Sequence, residues 1–252
     1  ISRKAAPMTD ISKKTSGRSG GRAQRLVKRA AKPVINPCPP GQFGGMYKPL
    51  SQPDLENIFD TALRLLSELG MGEIPNRLRQ DLLTAGAQDG EAGRVVFPRS
   101  LTEDAIAKAA KTFVLHGRDE TRSIQVGGSK VYFGTGGAAV QTLDLDSGTY
   151  RPSTLADLHN FTRLQDTLAN VSWYTRCCVA TDVPSNFDLD VNTAYALLLN
   201  TTKPTATSFT LAEYVAPIVK MLDIAAGGKG AFSKRPFMKA HISPVISPMR
   251  YG

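Results

Sequence analysis

After Pro152 the chain alternates helix-type and strand-type periodicity at short intervals, and few folds accept elements in that order. Apolar residues at three- and four-residue spacing predict helices over 154–168, 187–199 and 211–225. Between and after them, β-branched and aromatic runs predict strands over 171–177, 204–209 and 237–243. A helix between each pair of strands, with short connections, implies parallel strands joined by crossovers, hence an α/β sheet covered by helices. The helix starts carry their own signals. Thr154 and Asp157 stand at capping-box spacing ahead of Leu155, Leu158, Phe161, Leu164 and Leu168, and Thr210 with Glu213 repeats the device. Pro217 falls well inside the third helix, where the loss of a backbone hydrogen bond predicts a kink.

Ahead of this series the pattern is different. The run NPCPPGQFGG at 36–45 reads as a linker by its Pro and Gly content. Ser51 as N-cap, apolar residues at helical spacing from Leu55 to Leu69, and Gly70 as a stop predict an amphipathic helix over 52–69. A second helix is expected near 76–85, ending before Gly86, and a third opening at a Ser100–Glu103 capping box ahead of Ile106 and Ala109. Strand-like runs at 124–126 and 130–133 flank Gly127-Gly128 and predict a hairpin, and 140–145 with 149–151 around Asp146-Ser147-Gly148 predicts another. With 130–134 counted as the first strand of the parallel series, four strands have appeared by residue 243. An eight-stranded closed barrel needs about as many residues again. The expected organisation is a flexible basic arm over 1–35, a linker and helical segment over 36–122, and the first half of a (β/α) barrel over 123–252. The remainder of such a barrel lies beyond this sequence or is supplied by a partner, and Ile1 in place of Met points to a trimmed start.

Charge separates the arm from the body. The chain carries 31 basic and 22 acidic residues, net +9, yet positions 1–35 hold ten of the cations and a single acid, Asp10, so the other residues balance. The arm lacks apolar periodicity and cannot offset the entropy of ordering. Its cations suit phosphates, but no aromatic residue lies within 1–35 to stack on bases, which favours a solvated or partner-docking tail over nucleic-acid binding. The Arg- and Ser-rich, acid-poor composition leaves an organelle transit peptide as the minor alternative. Three cysteines, Cys38, Cys177 and Cys178, make no disulfide framework and have no zinc spacing, which fits a reducing, cytoplasmic setting. No run approaches eighteen apolar residues and the N-terminus has no secretory apolar core, so no membrane span is expected.

Among the motifs, Gly134-Thr135-Gly136-Gly137-Ala138-Ala139 fits the dinucleotide pattern G-x-G-x-x-A, but Ala139 leads into strand-like VQTLDLDSGTY where that loop must open a helix. A glycine-rich turn at a strand's carboxyl end, structural or approached by a ligand, is the better reading. His116, His159 and His241 support neither a zinc pair nor a catalytic triad. His159 falls on the polar side of its helix, where solvation explains it. His241 stands near the carboxyl end of a predicted strand, where it faces a ligand or packs in the barrel mouth. In VSWYTRCC, alternation puts Trp173 and Tyr174 on opposite faces, so only one aromatic can line the barrel interior, either as a wall for a ligand or, the commoner case, as an aromatic packed between strand and helix. An aromatic wall suits a quaternary ammonium. Packing explains Cys177 and Cys178 better than redox work.

The segments YFGTGGAAVQTLDLDSGTYRPSTLADLHNFTRLQD, NVSWYTRCCVATDVP and AYALLLNTTKPTATSF resemble the trimethylamine methyltransferase family, including its glycine betaine branch, over roughly residues 40–252. The resemblance implies a TIM-type (β/α)8 barrel behind an N-terminal helical segment. It also implies transfer of a methyl group from a methylated amine to Co(I) of cobalamin carried by a separate corrinoid protein, with no metal bound directly, in a cytoplasmic homo-oligomer. Co(I) is then the nucleophile, so no catalytic residue of the chain is assigned and the protein chiefly binds and orients a cation. Trimethylamine-specific members carry a pyrrolysine in the later half of the barrel, and the broader branch without it favours a quaternary amine such as glycine betaine. By position at strand ends, the expected substrate contacts are Gly134, Thr135, Gly136, Trp173, Tyr174, Arg176, Ser208, Phe209, His241 and Tyr251.

Overall fold

The computed structural model describes residues 35–242 and 245–251, together with Gln24, Leu26 and Val27, which are helical. The chain divides into two units, Ile1–Pro37 and Cys38–Gly252. The basic arm expected over 1–35 lies outside the described residues but for those three and Ile35, and so does the last residue of the strand expected over 237–243.

The second unit is built on the expected α/β alternation. Four parallel strands, β1 (Phe133–Gly134), β2 (Val171–Thr175), β3 (Thr205–Thr207) and β4 (Met238–Ala240), lie side by side in chain order. Helices α1 (Leu155–Thr167), α2 (Asn186–Asn200) and α3 (Val215–Ala225) fall between them in sequence. Register is set by Trp173 opposite Gly134, Tyr174 opposite Thr205 and Thr205 opposite Met238. Among the described residues the sheet is open, with β1 and β4 as edges, and no closed barrel is found.

One face of the sheet carries the core. Tyr174 and Met238 pack there against Leu158 of α1, Ala194 and Leu197 of α2, and Ile218 and Leu222 of α3. Met238, Leu158, Leu197, Ile218 and Leu222 each contribute about 1.5–3 kcal/mol by leaving water. The helices begin on capping devices. Thr154 Oγ1 accepts the amide of Asp157, whose carboxylate takes the amide of Thr154, and Ser185 caps α2 through the amide of Asp188. At their other ends, basic side chains neutralise the exposed carbonyls. Buried Lys203 donates to the carbonyls of Gln165 and Leu168 at the end of α1, and Arg118 to those of Leu198 and Thr201 at the end of α2. These caps lie at the amino-terminal side of the strands, leaving the carboxyl ends to other work.

Two expectations for α3 are corrected. The Thr210–Glu213 capping box does not form, because Thr210 gives both its amide and its hydroxyl to Asp190 Oδ2 of α2, at 2.7 and 2.9 Å. A 3-10 turn, Ala212–Tyr214, comes first and the α-helix begins at Val215, so Pro217 sits in the first turn. No intrahelical bond is lost there and the expected kink has no cause.

The N-terminal helices follow the sequence closely. Gln52–Arg64 starts on a Ser51–Asp54 capping box, runs into a π-helical turn at Leu65–Leu69, and stops at Gly70. Asn76–Thr84 follows, then Arg99–Lys108. The third helix starts without the expected Ser100–Glu103 box, since Pro98 precedes it and Glu103 pairs with Arg99 at 2.8 Å. The first predicted hairpin is also replaced. Ile124–Gly127 pairs antiparallel with Thr112–Leu115, a strand missed at the end of the helical segment, while Lys130–Val131 pairs with Gln42–Phe43 from the presumed linker. With φ of 142° and 58°, Gly127 and Gly128 turn the chain away from itself, and each half finds another partner. The second hairpin forms as Gln141–Leu143 with Tyr150–Pro152.

Candidate functional site

At the carboxyl ends of the four strands, on the face away from the core, lies a cavity of about 380 Å³. Each strand contributes to it. From β1 and the loop after it come Thr135, Gly136, Gly137 and Ala138; from β2 and just beyond, Trp173, Thr175 and Arg176. Ser208 follows β3, and Lys239 and His241 come from β4 and the residue after it. Ligand sites of parallel α/β folds are built at this edge, since the loops there can vary while the sheet stays fixed.

Trp173 organises the cavity. Alternation along β2 sends Ser172 and Tyr174 to the helix side and Trp173 and Thr175 to the other. The indole lies over Gly134 of the neighbouring strand, which is its register partner. The indole also lines a smaller cavity of about 110 Å³, together with His116 and Phe237. The Lys239 ammonium stands 4.8 Å from the centre of the Trp173 ring, within cation–π range. Trp173 and Lys239 both line the two cavities, so the ring already has a cation against it at the wall they share.

The glycine-rich segment is held as a strand extension. Thr135 Oγ1 donates to the Thr175 carbonyl at 2.6 Å and accepts the Thr175 amide at 2.9 Å, so a side chain continues the ladder from β1 to β2. Further on, the amides of Ala138 and Ala139 donate to the carbonyls of Arg176 and Cys177. Ala139 then leads to a strand, which removes the helix that a dinucleotide loop requires. A Cβ added at Gly136 or Gly137 would meet nothing within 4 Å, so the backbone there is open to an approaching molecule.

Arg176 is the least satisfied group of the site. Its Nη1 is shut off from solvent and has no hydrogen-bond partner in the protein. Burial pulls the guanidinium below its ordinary range, and the negative charge of fully buried Asp190 opposes that shift. His241 is anchored by its backbone, whose amide donates to the Thr207 carbonyl at 2.8 Å.

Of the expected contacts, Thr135, Gly136, Trp173, Arg176, Ser208 and His241 line the cavity, and Gly134 lies beneath the indole. Three are elsewhere. Tyr174 is fully buried on the helix side, its hydroxyl 3.1 Å from Cys177 Sγ, and Phe209 packs against the same core. Tyr251 belongs to a C-terminal antiparallel pair, Val245–Ile246 with Arg250–Tyr251, and its amide donates to Gly72. Strand parity explains Tyr174; for Tyr251 no strand of the parallel sheet carries it. Lys239 was missed, although it stands two residues before His241 and so on the same face of a strand. Outside the cavity, His159 meets Asn200 at 2.7 Å and bridges α1 to α2, where solvation was expected. Among the described residues no cluster of His, Cys, Asp or Glu is arranged to hold a metal ion, and no helix is long and apolar enough to cross a membrane.

Fold and cavity together define an α/β protein with a cavity at the carboxyl ends of its parallel strands. A sequence model of the trimethylamine methyltransferase (MTTB) family matches residues 18–252, and the chain belongs to that family. Trimethylamine methyltransferase MttB of Desulfitobacterium hafniense (strain DSM 10664 / DCB-2) is 28% identical over 202 residues, 79% of this chain. The chain spans about 40% of the length of that curated relative.

Proposed function

We propose that this chain is the first half of a (β/α)8 barrel methyltransferase that passes a methyl group from a methylated amine, with glycine betaine favoured, to Co(I) of a cytoplasmic corrinoid protein. The observation that carries the reading is the Trp173 ring facing the cavity, with a cation already drawn to it. Family membership supports the reaction class, and four strands in chain order support the barrel.

When the corrinoid protein is docked, its Co(I) supplies the electron pair that takes the methyl group. The residues of this chain bind and orient. Trp173 holds the ammonium against its π face, Gly134 lets the ring lie flat on the sheet, and the Thr135–Thr175 ladder keeps β1 and β2 in register beneath it. With a quaternary donor such as glycine betaine, the departing nitrogen keeps the electron pair of the broken C–N bond and becomes neutral, so no proton has to be supplied by the protein. The uncovered backbone at Gly136 and Gly137 fits the approach of a bulky acceptor, since no side chain blocks it.

The test is to mix the full-length protein with a reduced corrinoid protein and follow the Co(I) absorbance. Glycine betaine is expected to remove it, and persistence of the Co(I) spectrum with glycine betaine and trimethylamine alike overturns the reading.

A further inference from the structure

We propose that Cys177 and Cys178 form an oxidation site behind the cavity wall, which a peroxide closes to a vicinal disulfide and a thiol reductant reopens. The site is independent of the methyl-transfer reading.

The two thiols have unequal surroundings. Cys178 is 1% exposed and belongs to the core, so the packing expected of both cysteines accounts for it. Cys177 is only half-buried and can be reached from solvent. Its sulfur hydrogen-bonds to the Cys178 thiol and lies 3.1 Å from the Tyr174 hydroxyl, two donors that favour the thiolate. Together they hold Cys177 down at about 7, against the effect of burial. The thiolate is the nucleophile, so Cys177 is the sulfur that attacks an oxidant, and a second thiol already stands in contact to resolve the product.

With hydrogen peroxide as oxidant the chemistry has two steps. Cys177 Sγ attacks one oxygen: an S–O bond forms, the O–O bond breaks, and hydroxide leaves and takes up a proton as water. The sulfur has then given two electrons to the peroxide and is a sulfenic acid. The Cys177 charge disappears with it, and that charge is one of the causes that push Cys178 up. Cys178 Sγ next attacks the Cys177 sulfur; the S–S bond forms, the S–O bond breaks, and hydroxide leaves with the Cys178 proton as water. Two thiols and one peroxide give one disulfide and two waters.

A bridge between neighbours is strained. Their Cα atoms stand about 3.8 Å apart across a trans peptide, short of the span of about 4.4–6.8 Å that a disulfide usually bridges. Strain makes such a disulfide easy to reduce, so the site can reopen. The strain falls on backbone that holds the cavity wall. Cys178 pairs with Ala139 in a parallel bridge, and the Cys177 carbonyl accepts the Ala139 amide at 2.9 Å. The Val179 amide donates to the Ala139 carbonyl at 2.8 Å, and the Ala138 amide to the Arg176 carbonyl at 3.2 Å. Gly136, Gly137 and Ala138 line the cavity just ahead of this pairing. Closing the disulfide therefore loosens the glycine-rich wall.

The test treats the full-length protein with hydrogen peroxide and digests it with trypsin, which cuts after Arg176 and releases both cysteines on one peptide. That peptide is expected to lose two hydrogens in mass, to resist iodoacetamide, and to recover with dithiothreitol. In C178S the reaction should stop at the sulfenic acid, which dimedone captures on Cys177, and in C177S the buried Cys178 should stay unreacted. Amide hydrogen exchange over 136–139, read by mass spectrometry, should be at least about tenfold faster in the oxidised protein than in the reduced one. A peptide of unchanged mass overturns the site, as does oxidation that runs on to irreversible sulfinic acid at Cys177, or a dimedone adduct as abundant in the unaltered protein as in C178S. A disulfide that forms without changing exchange over 136–139 overturns its coupling to the cavity wall.

Discussion

The indole of Trp173 occupies the space that a side chain at Gly134 would need: a Cβ built there falls 2.1 Å from Trp173 Cε2. Neither residue keeps its role without the other. Gly134→Ala must push the ring off the sheet, a clash worth about 1–3 kcal/mol of stability. The emission of Trp173 should shift and glycine betaine affinity should fall; an unchanged Trp173 signal would show that the ring does not rest there.

Trp173 also stands between two cavities, of about 380 and 110 Å³. Trp173→Leu is expected to join them and remove the cation-binding face, lowering the affinity for quaternary ammonium ligands by about tenfold or more. Calorimetric titration with glycine betaine checks this. Trp173→Phe keeps a ring and should lose less.

Asp190 is buried completely and receives two hydrogen bonds from Thr210. Asp190→Ala leaves both donors without their acceptor and removes the anion nearest in effect to Arg176, so a loss of about 2–4 kcal/mol is expected in denaturant unfolding. Thr210→Val, which removes only the hydroxyl donor, should cost less.

The Arg151 guanidinium grips the Asp157 carboxylate at 2.6 and 2.8 Å and holds its pKa well below the usual carboxylate range. A depressed carboxylate stabilises the fold above its unfolded value, near 4, and that contribution is lost as pH falls toward the folded value. Asp157→Asn should therefore cost about 1.5–3 kcal/mol at pH 6. The gap between the two proteins should narrow below about pH 4, which unfolding curves at a series of pH values would reveal.

Cys177 is drawn down to about 7, first by the thiol of Cys178 and then, against burial, by the Tyr174 hydroxyl, while Cys178 is pushed up. Iodoacetamide labelling of Cys177, followed by peptide mass spectrometry, should climb as pH passes through 7 and leave Cys178 largely unmodified. Tyr174→Phe should move that climb to higher pH.

Local signals carried much of this architecture. The capping box of Thr154 and Asp157, the apolar stripe of α1 and the β-branched run at 171–175 each act within one turn or one strand, so spacing alone reveals them. The hairpin at Gly127-Gly128 misled because pairing is a choice among strands, and Thr112–Leu115 lies outside any local window. Pro217 misled for a smaller reason. Where α3 begins depends on Asp190 holding Thr210, a contact twenty residues away.

The sequence by itself determined the βα order, the Ser51 and Thr154 helix caps and the face parity of Trp173 against Tyr174, because periodicity and capping within one turn are short-range properties of the chain. Only the tertiary structure decided that Gly134 lies under the indole, that Lys239 covers its face, that Arg176 is left without a partner, and that Tyr251 stays with Gly72. Those relationships depend on strand register and on how much solvent the packed sheet excludes, and both are set by elements far apart in the chain.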